Sequence, residues 1–231
     1  MNTELNPSAL EAPIIVRRLS PRARRMTLKI DAAAGVAELV VPKGVSKAEA
    51  DRFERKHRRW AAAHLAQLPP RRRFIDGLAL PVLDDTLHIR FCPDAPRAAH
   101  RVLDELIVGG REEQVAVRVE AWLRETARAN ILARVTEHAR TLGRRVTAIR
   151  IADPRTRWGS CSHTGTMSFS WRLVLAPETV LNYVSAHETA HLIEMNHSAR
   201  FWRLVKDLDP AFEGARDWLA DNGQALHRYG G

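Results

Sequence analysis

Val184-Ser185-Ala186-His187-Glu188-Thr189-Ala190-His191-Leu192-Ile193-Glu194-Met195-Asn196-His197 is the stretch on which the reading of this chain turns. His187 and His191 are four residues apart, so on a helix they stand one turn above each other on one face, close enough to share an ion. Glu188 lies beside that pair, within reach of a water on the ion. This is the H-E-x-x-H spacing, with two neutral imidazoles as ligands and one carboxylate as general base. His197 can be a third ligand if the helix ends between it and His191. Three protein ligands leave the fourth position of a tetrahedral ion for water, which separates a catalytic site from a closed structural one.

The flanks support a helix. Pro177 suits a first helical position and Glu178 complements the positive end of the dipole. Val180, Leu181, Val184 and Leu192 recur with the histidines at spacings of three and four, giving one inward face. Asn196 is expected to stop the helix in a left-handed conformation, after which Ser198 caps a new helix with Phe201, Trp202, Leu204 and Val205 on its buried side. At this chain's residue frequencies H-E-x-x-H arises by chance in about 3 % of such sequences; requiring the third histidine at this spacing lowers that to about 0.1 %.

The chain has 231 residues with 45% hydrophobic and 27% charged, ordinary values for a globular protein. Cys92 and Cys161 are too few for a disulfide framework. Residues 1–13 contain no apolar stretch behind basic residues, and no run is long enough to cross a bilayer. Together these features predict a cytoplasmic protein with no membrane partner. The net charge of +9 is uneven: residues 1–73 hold 16 Lys and Arg against 7 Asp and Glu, and the remainder balances at 20 each. Such an excess is either a solvated face or a patch for an anion such as nucleic acid or a nucleotide.

In order, 1–13 reads as a disordered leader. A basic lobe over 14–73 follows: two strands within 14–42, meeting in a turn at 31–35, then a helix over 47–68. Pro69-Pro70-Arg71-Arg72-Arg73 resembles a linker. The catalytic region is expected over 74–231. It starts with short strands around 87–91 and 102–108 and continues with a helix over 112–142 whose inner stripe is Val115, Val119, Trp122, Leu123, Ala127, Ile131 and Val135. Strands are expected over 146–151 and 166–175. The second could be an edge along the cleft, able to pair with an extended peptide, or plain core.

Arg157-Trp158-Gly159-Ser160-Cys161, Trp171-Arg172-Leu173-Val174-Leu175-Ala176-Pro177, the two-histidine motif and Asn196-His197-Ser198-x-x-Phe201-Trp202 occur together here. With them the chain resembles the YgjP-like metal-dependent hydrolases, distant relatives of the SprT-like and WLM zincins. The resemblance covers nearly everything after residue 13. It implies an α+β, zincin-like metallohydrolase core with an antiparallel-containing sheet, zinc on His187, His191 and His197, and Glu188 as the catalytic carboxylate. One Zn2+ is expected, with nickel and cobalt as alternatives. The metzincin pattern does not apply, because Glu194 stands where that group has its turn glycine and no later methionine follows Met195.

Arg157, Arg172 and Tyr183 are candidates to stabilise a transition-state anion. Cys161 and His163 could in principle be ligands, Glu194 could steady a ligand imidazole or face solvent, and Trp202 reads as core. Three function classes remain open: a metallopeptidase acting on peptide or protein; a metal-dependent nucleoside triphosphate pyrophosphatase or phosphoanhydride hydrolase; and a nucleic-acid-associated protease or module using residues 1–73.

Overall fold

A computed structural model describes residues 13–230, so the leader expected over 1–13 lies, but for Pro13, outside the described residues. The chain divides into two compact units, one ending at Pro70 and the other starting at Arg71.

The first unit has three strands, not two: β1 (Ile15–Ser20), β2 (Thr27–Asp31) and β3 (Val36–Pro42), in the order β1-β3-β2. β1 runs parallel to β3 and β2 antiparallel to it. β1 escapes pattern reading because Arg17 and Arg18 interrupt its apolar alternation. Their guanidiniums find carboxylates of this same unit, Arg17 reaching Asp51 at 2.7 Å and Glu54, and Arg18 reaching Glu38. Asp31 makes the β2–β3 turn, its carboxylate accepting the Ala34 N–H at 3.0 Å, with Gly35 at φ 71°. Helix α1 (Lys47–Ala66) opens on a capping box: the Ser46 hydroxyl accepts the Glu49 N–H, and the Glu49 carboxylate accepts the Ser46 N–H at 2.9 Å. A small core of Leu39, Val41 and Ala50, with Phe53 and Leu28 around it, closes the unit.

The second unit is mixed α+β. Its first sheet holds β4 (Ala79–Val82), β5 (Asp85–Phe91), β6 (His100–Val102) and β7 (Glu105–Val108) in the order β4-β5-β7-β6. Helix α2 (Val115–Thr141) then crosses the unit. Val115, Val119, Leu123, Ala127, Ile131 and Val135, four apart along it, are all buried, and Trp122 is half-buried. The second sheet contains β8 (Ala148–Ala152), β9 (Gly159–Cys161) and β10 (Thr166–Ser170) in the order β8-β10-β9.

The strand expected over 166–175 is therefore only half a strand, and it is central, not an edge. The Ser170 hydroxyl accepts the Arg172 N–H at 3.3 Å and turns the chain into a 3-10 helix, Trp171–Leu175, every residue of which is buried. Helices α3 (Glu178–Ala190), α4 (Ala199–Leu208) and α5 (Phe212–Leu226) complete the unit. The supposed linker is also more than that. Arg72 donates its N–H to the Arg228 carbonyl and accepts the Gly230 N–H, both at 2.9 Å, while Phe74 is buried against Trp171. Among the described residues no helix is long and apolar enough to cross a membrane.

Arg172 fixes this end of the core. Its guanidinium donates to both Asp153 oxygens, at 2.7 and 3.1 Å, and to the carbonyls of Tyr229 and Leu226, at 2.6 and 3.1 Å, and it lies over the Trp171 ring. Burial works to raise the Asp153 carboxyl, but the hydrogen bonds and charge of Arg172 outweigh it and hold the group below its usual value. A depressed carboxyl stabilises the fold above the ordinary carboxylate range and loses that contribution as pH falls through its own lowered value. Asp153→Asn should therefore cost about 2 kcal/mol at neutral pH, below the range for breaking a fully buried pair because the Asp153 side chain is 36% exposed and solvent screens it. Urea unfolding of the two proteins should show the gap closing in acid; a gap below about 1 kcal/mol at neutral pH would refute the assignment.

Candidate metal centre

Helix α3 delivers the first two histidines. Pro177 precedes it with φ −53° and needs no N–H partner, and the Glu178 N–H is received by the Asp84 carboxylate at 3.1 Å. Inside the helix the buried hydroxyls of Ser185 and Thr189 donate to the carbonyls of Leu181 and Ser185, at 2.8 and 2.7 Å, so neither is left unpaired in the core.

The helix ends earlier than the sequence suggests. Ala190 is its last residue, His191 is the C-cap, and Leu192, Ile193 and Glu194 follow in tight turns. Asn196 is not left-handed. It works through its side chain, whose oxygen accepts the Ser198 N–H at 3.0 Å and bends the chain into α4. Ser198 does cap α4, its hydroxyl accepting the Phe201 N–H at 3.3 Å. Early termination and an Asx turn together bring His197 back over α3.

One nitrogen from each of His187, His191 and His197 lies within 4.8 Å of the others, the only such group of three among the described residues. The ring centroids form a nearly regular triangle with sides of 5.1, 5.0 and 5.0 Å. Nε2 of His187 and Nε2 of His197 are 3.1 Å apart. Two nitrogens each about 2.1 Å from a tetrahedral ion would be about 3.4 Å apart, so the spacing suits a shared cation. The outer nitrogen of His191 is paired with the Glu194 carbonyl at 2.9 Å, which orients that ring. Glu194 thus contributes through its backbone, and its carboxylate has no part in that contact.

Phe201 is the floor of the site, its ring 4.9, 4.6 and 4.8 Å from the imidazoles of His187, His191 and His197. Helical periodicity marks Phe201 as core and gives no hint of this second duty. Trp202, read as core, is half-buried and also stands beside His187 and His197, at 5.8 and 6.0 Å. Tyr183 meets His187 edge-on at 5.9 Å and stacks on Phe212.

Electrostatics favour neutral ligands. Burial, then repulsion from the other two imidazoles, lowers His187 to about 4, and burial also lowers His191. Imidazoles that stay unprotonated at neutral pH present lone pairs, so the donor set fits a divalent transition ion. Glu188 is 5% exposed, and burial pushes its carboxyl up to about 8 against the pull of Arg157. Gly159 of β9 closes over it: a Cβ at that position would fall 2.5 Å from the Glu188 Oε1. Nothing in the sequence marks this contact except a glycine within a short motif.

The remaining candidates separate. Arg172 has its donors committed to Asp153 and the C-terminal carbonyls, whereas Arg157 is exposed and its charge acts on Glu188. Cys161 and His163 stand outside the triad. His163 is exposed, and burial followed by the Glu188 charge raises the Cys161 thiol to about 11. Trp158 stacks on His227 at 4.8 Å and packs against Gly223 of α5.

Among solved structures the chain is similar to the crystal structure of the metallopeptidase zymogen of Pyrococcus abyssi abylysin, with 24% identity over 44% of this chain and 99% of that one, at a TM-score of 0.37. No curated protein matches it. Against family models, residues 24–222 match the YgjP-like, metallopeptidase domain, a span that takes in the three histidines, Glu188, β9 and most of the first unit. The chain therefore belongs to the YgjP-like metallopeptidase family and is a metal-dependent hydrolase.

Proposed function

We propose that the protein is a zinc peptidase whose ion is held by His187, His191 and His197 and whose general base is Glu188. The observation carrying this reading is the convergence of three imidazoles within 4.8 Å beside a carboxylate that is 5% exposed. Three nitrogen ligands with a fourth position left for water are one of the donor sets of catalytic zinc. A bound zinc ion supplies Lewis acidity, polarising the scissile carbonyl and easing ionisation of a water.

The rest is the chain's own work. Glu188 takes the proton of the attacking water and hands it to the departing amine, a relay suited to a group whose basicity burial has raised. Arg157, the cation whose charge already acts on Glu188, is the candidate partner for the developing oxyanion. The substrate backbone has a place to pair along β9, which is the outer strand of its sheet and touches Glu188 through Gly159.

Metal analysis of the purified chain, with peptide and nucleoside triphosphate hydrolysis each measured with and without chelator, tests the reading. Chelator-sensitive peptide cleavage is expected; triphosphate hydrolysis without it would move the substrate to a phosphoanhydride. Glu188→Gln should retain the ion and lower turnover by about 100-fold or more. An unchanged rate would remove Glu188 from the chemistry. Gly159→Ala should also keep the ion and lose at least about tenfold in turnover, because the added methyl displaces Glu188.

The raised Glu188 value has a sign that can be checked in chelator-treated protein. A carboxyl whose folded value, about 8, exceeds its unfolded one binds more protons when folded, so stability falls as pH rises between the two. The lowered imidazoles act with the opposite sign, but only below their ordinary value near 6.5. Between pH of about 6.5 and about 8 the melting temperature should therefore decline, and Glu188→Gln should flatten that decline.

A further inference from the structure

Outside the imidazole site, a groove of about 730 Å³ runs between the C-terminal half of α2 and β8. Arg128, Arg140, Arg144 and Arg145 rim it, and no carboxylate lines it. Arg140, Arg144 and Arg145 form no ion pair among the described residues, and Arg128 has only the exposed Glu125, at 3.6 Å. Of the nearby acids, Glu137 of α2 lines a different cavity and Asp153, just after β8, holds Arg172. The groove floor is apolar. Leu132 is 50% exposed there, beside Val146 and Ile149. β8 is an outer strand, so half of its backbone N–H and C=O groups face away from β10.

Cationic side chains on a sheet edge can simply discourage self-association. That duty needs neither a cavity nor an apolar floor, and this edge has both. An extended chain added to β8 would place side chains of one parity on the floor and those of the other parity near the arginines. No aromatic ring lines the groove, which removes the stacking that single-stranded nucleic acid uses.

We propose that this groove binds an extended acidic segment of a polypeptide as an added strand on β8, and that the segment belongs to the substrate. The second clause rests on the peptidase reading; the first does not. β8 and β9 flank β10, about 10 Å apart, so a substrate bound at β8 must pass around the sheet to reach Glu188. At about 3.3 Å per residue, and with at least that distance to cover, the acidic segment lies more than about three residues from the bond that is cut.

Binding is measured on the full chain carrying Glu188→Gln, by fluorescence anisotropy. The probes are a labelled 12-residue peptide of alternating glutamate and valine, its lysine counterpart, and a thymidine oligonucleotide. The glutamate peptide should bind and the lysine peptide should not. Arg144→Ser with Arg145→Ser, both exposed positions, should raise Kd about tenfold with an unchanged circular dichroism spectrum. N-methylation along one edge of the peptide should weaken binding similarly. Equal affinity in the double variant overturns the groove, and tighter oligonucleotide binding lost in that variant assigns it to nucleic acid instead. With Glu188 intact, joining the acidic sequence to a cleaved peptide should lower KM about tenfold, leave kcat unchanged, and have no effect in the double variant. Acidic-peptide binding by a chain that cleaves no peptide would overturn the assignment to substrate while leaving the groove a polypeptide site.

Discussion

A helix that carries two imidazoles one turn apart cannot bring a third beside them from its own continuation, because later residues climb away at 1.5 Å each. Everything at this site depends on α3 stopping at His191. The stop is local chemistry: the outer nitrogen of His191 meets the Glu194 carbonyl, the next residues close in tight turns, and Asn196 redirects the chain into the Ser198 cap of α4. Six residues after His191 the third imidazole is back within 3.1 Å of the first. Sheet, long helix and C-terminal helices then serve to hold that corner still.

The corner is costly to assemble. Three imidazoles are brought over one phenyl ring and a carboxyl is sealed under a glycine, with His187, His191 and Glu188 losing solvent. The chain meets this by keeping His187 neutral and by using carbonyls in preference to further charges as supports. Arg172 shows the opposite strategy at the other end of the core, where a buried cation is matched by Asp153 and two carbonyls. One cluster stays available for chemistry, and the other is saturated and structural.

Much of this was legible beforehand for a physical reason. The α2 stripe and the imidazole spacing follow from a periodicity of 3.6, which sequence displays directly. β1 was not legible, since its partners are carboxylates far along the chain and its arginines break the pattern. The strand expected over 166–175 failed at Ser170, where a hydroxyl competing for a backbone N–H outweighed an apolar run. Asn196 was correctly marked as a turning point with the wrong mechanism, because Asx turns and left-handed stops share a residue preference. Phe201 beneath the rings was invisible, because its spacing reads as core and the residue has no chemistry of its own. The Trp158-Gly159-Ser160-Cys161 stretch reads as a tight turn packed against the site; it does pack there, through Gly159 on Glu188, but Gly159–Cys161 form strand β9.

The half-buried thiol of Cys161, whose value feels the Glu188 charge, has a consequence for durability. Burial, then the Glu188 charge, raises its value to about 11, so at neutral pH Cys161 is held as the thiol. Electrophiles and peroxide attack the thiolate form, so this sulfur is a poor target despite its position.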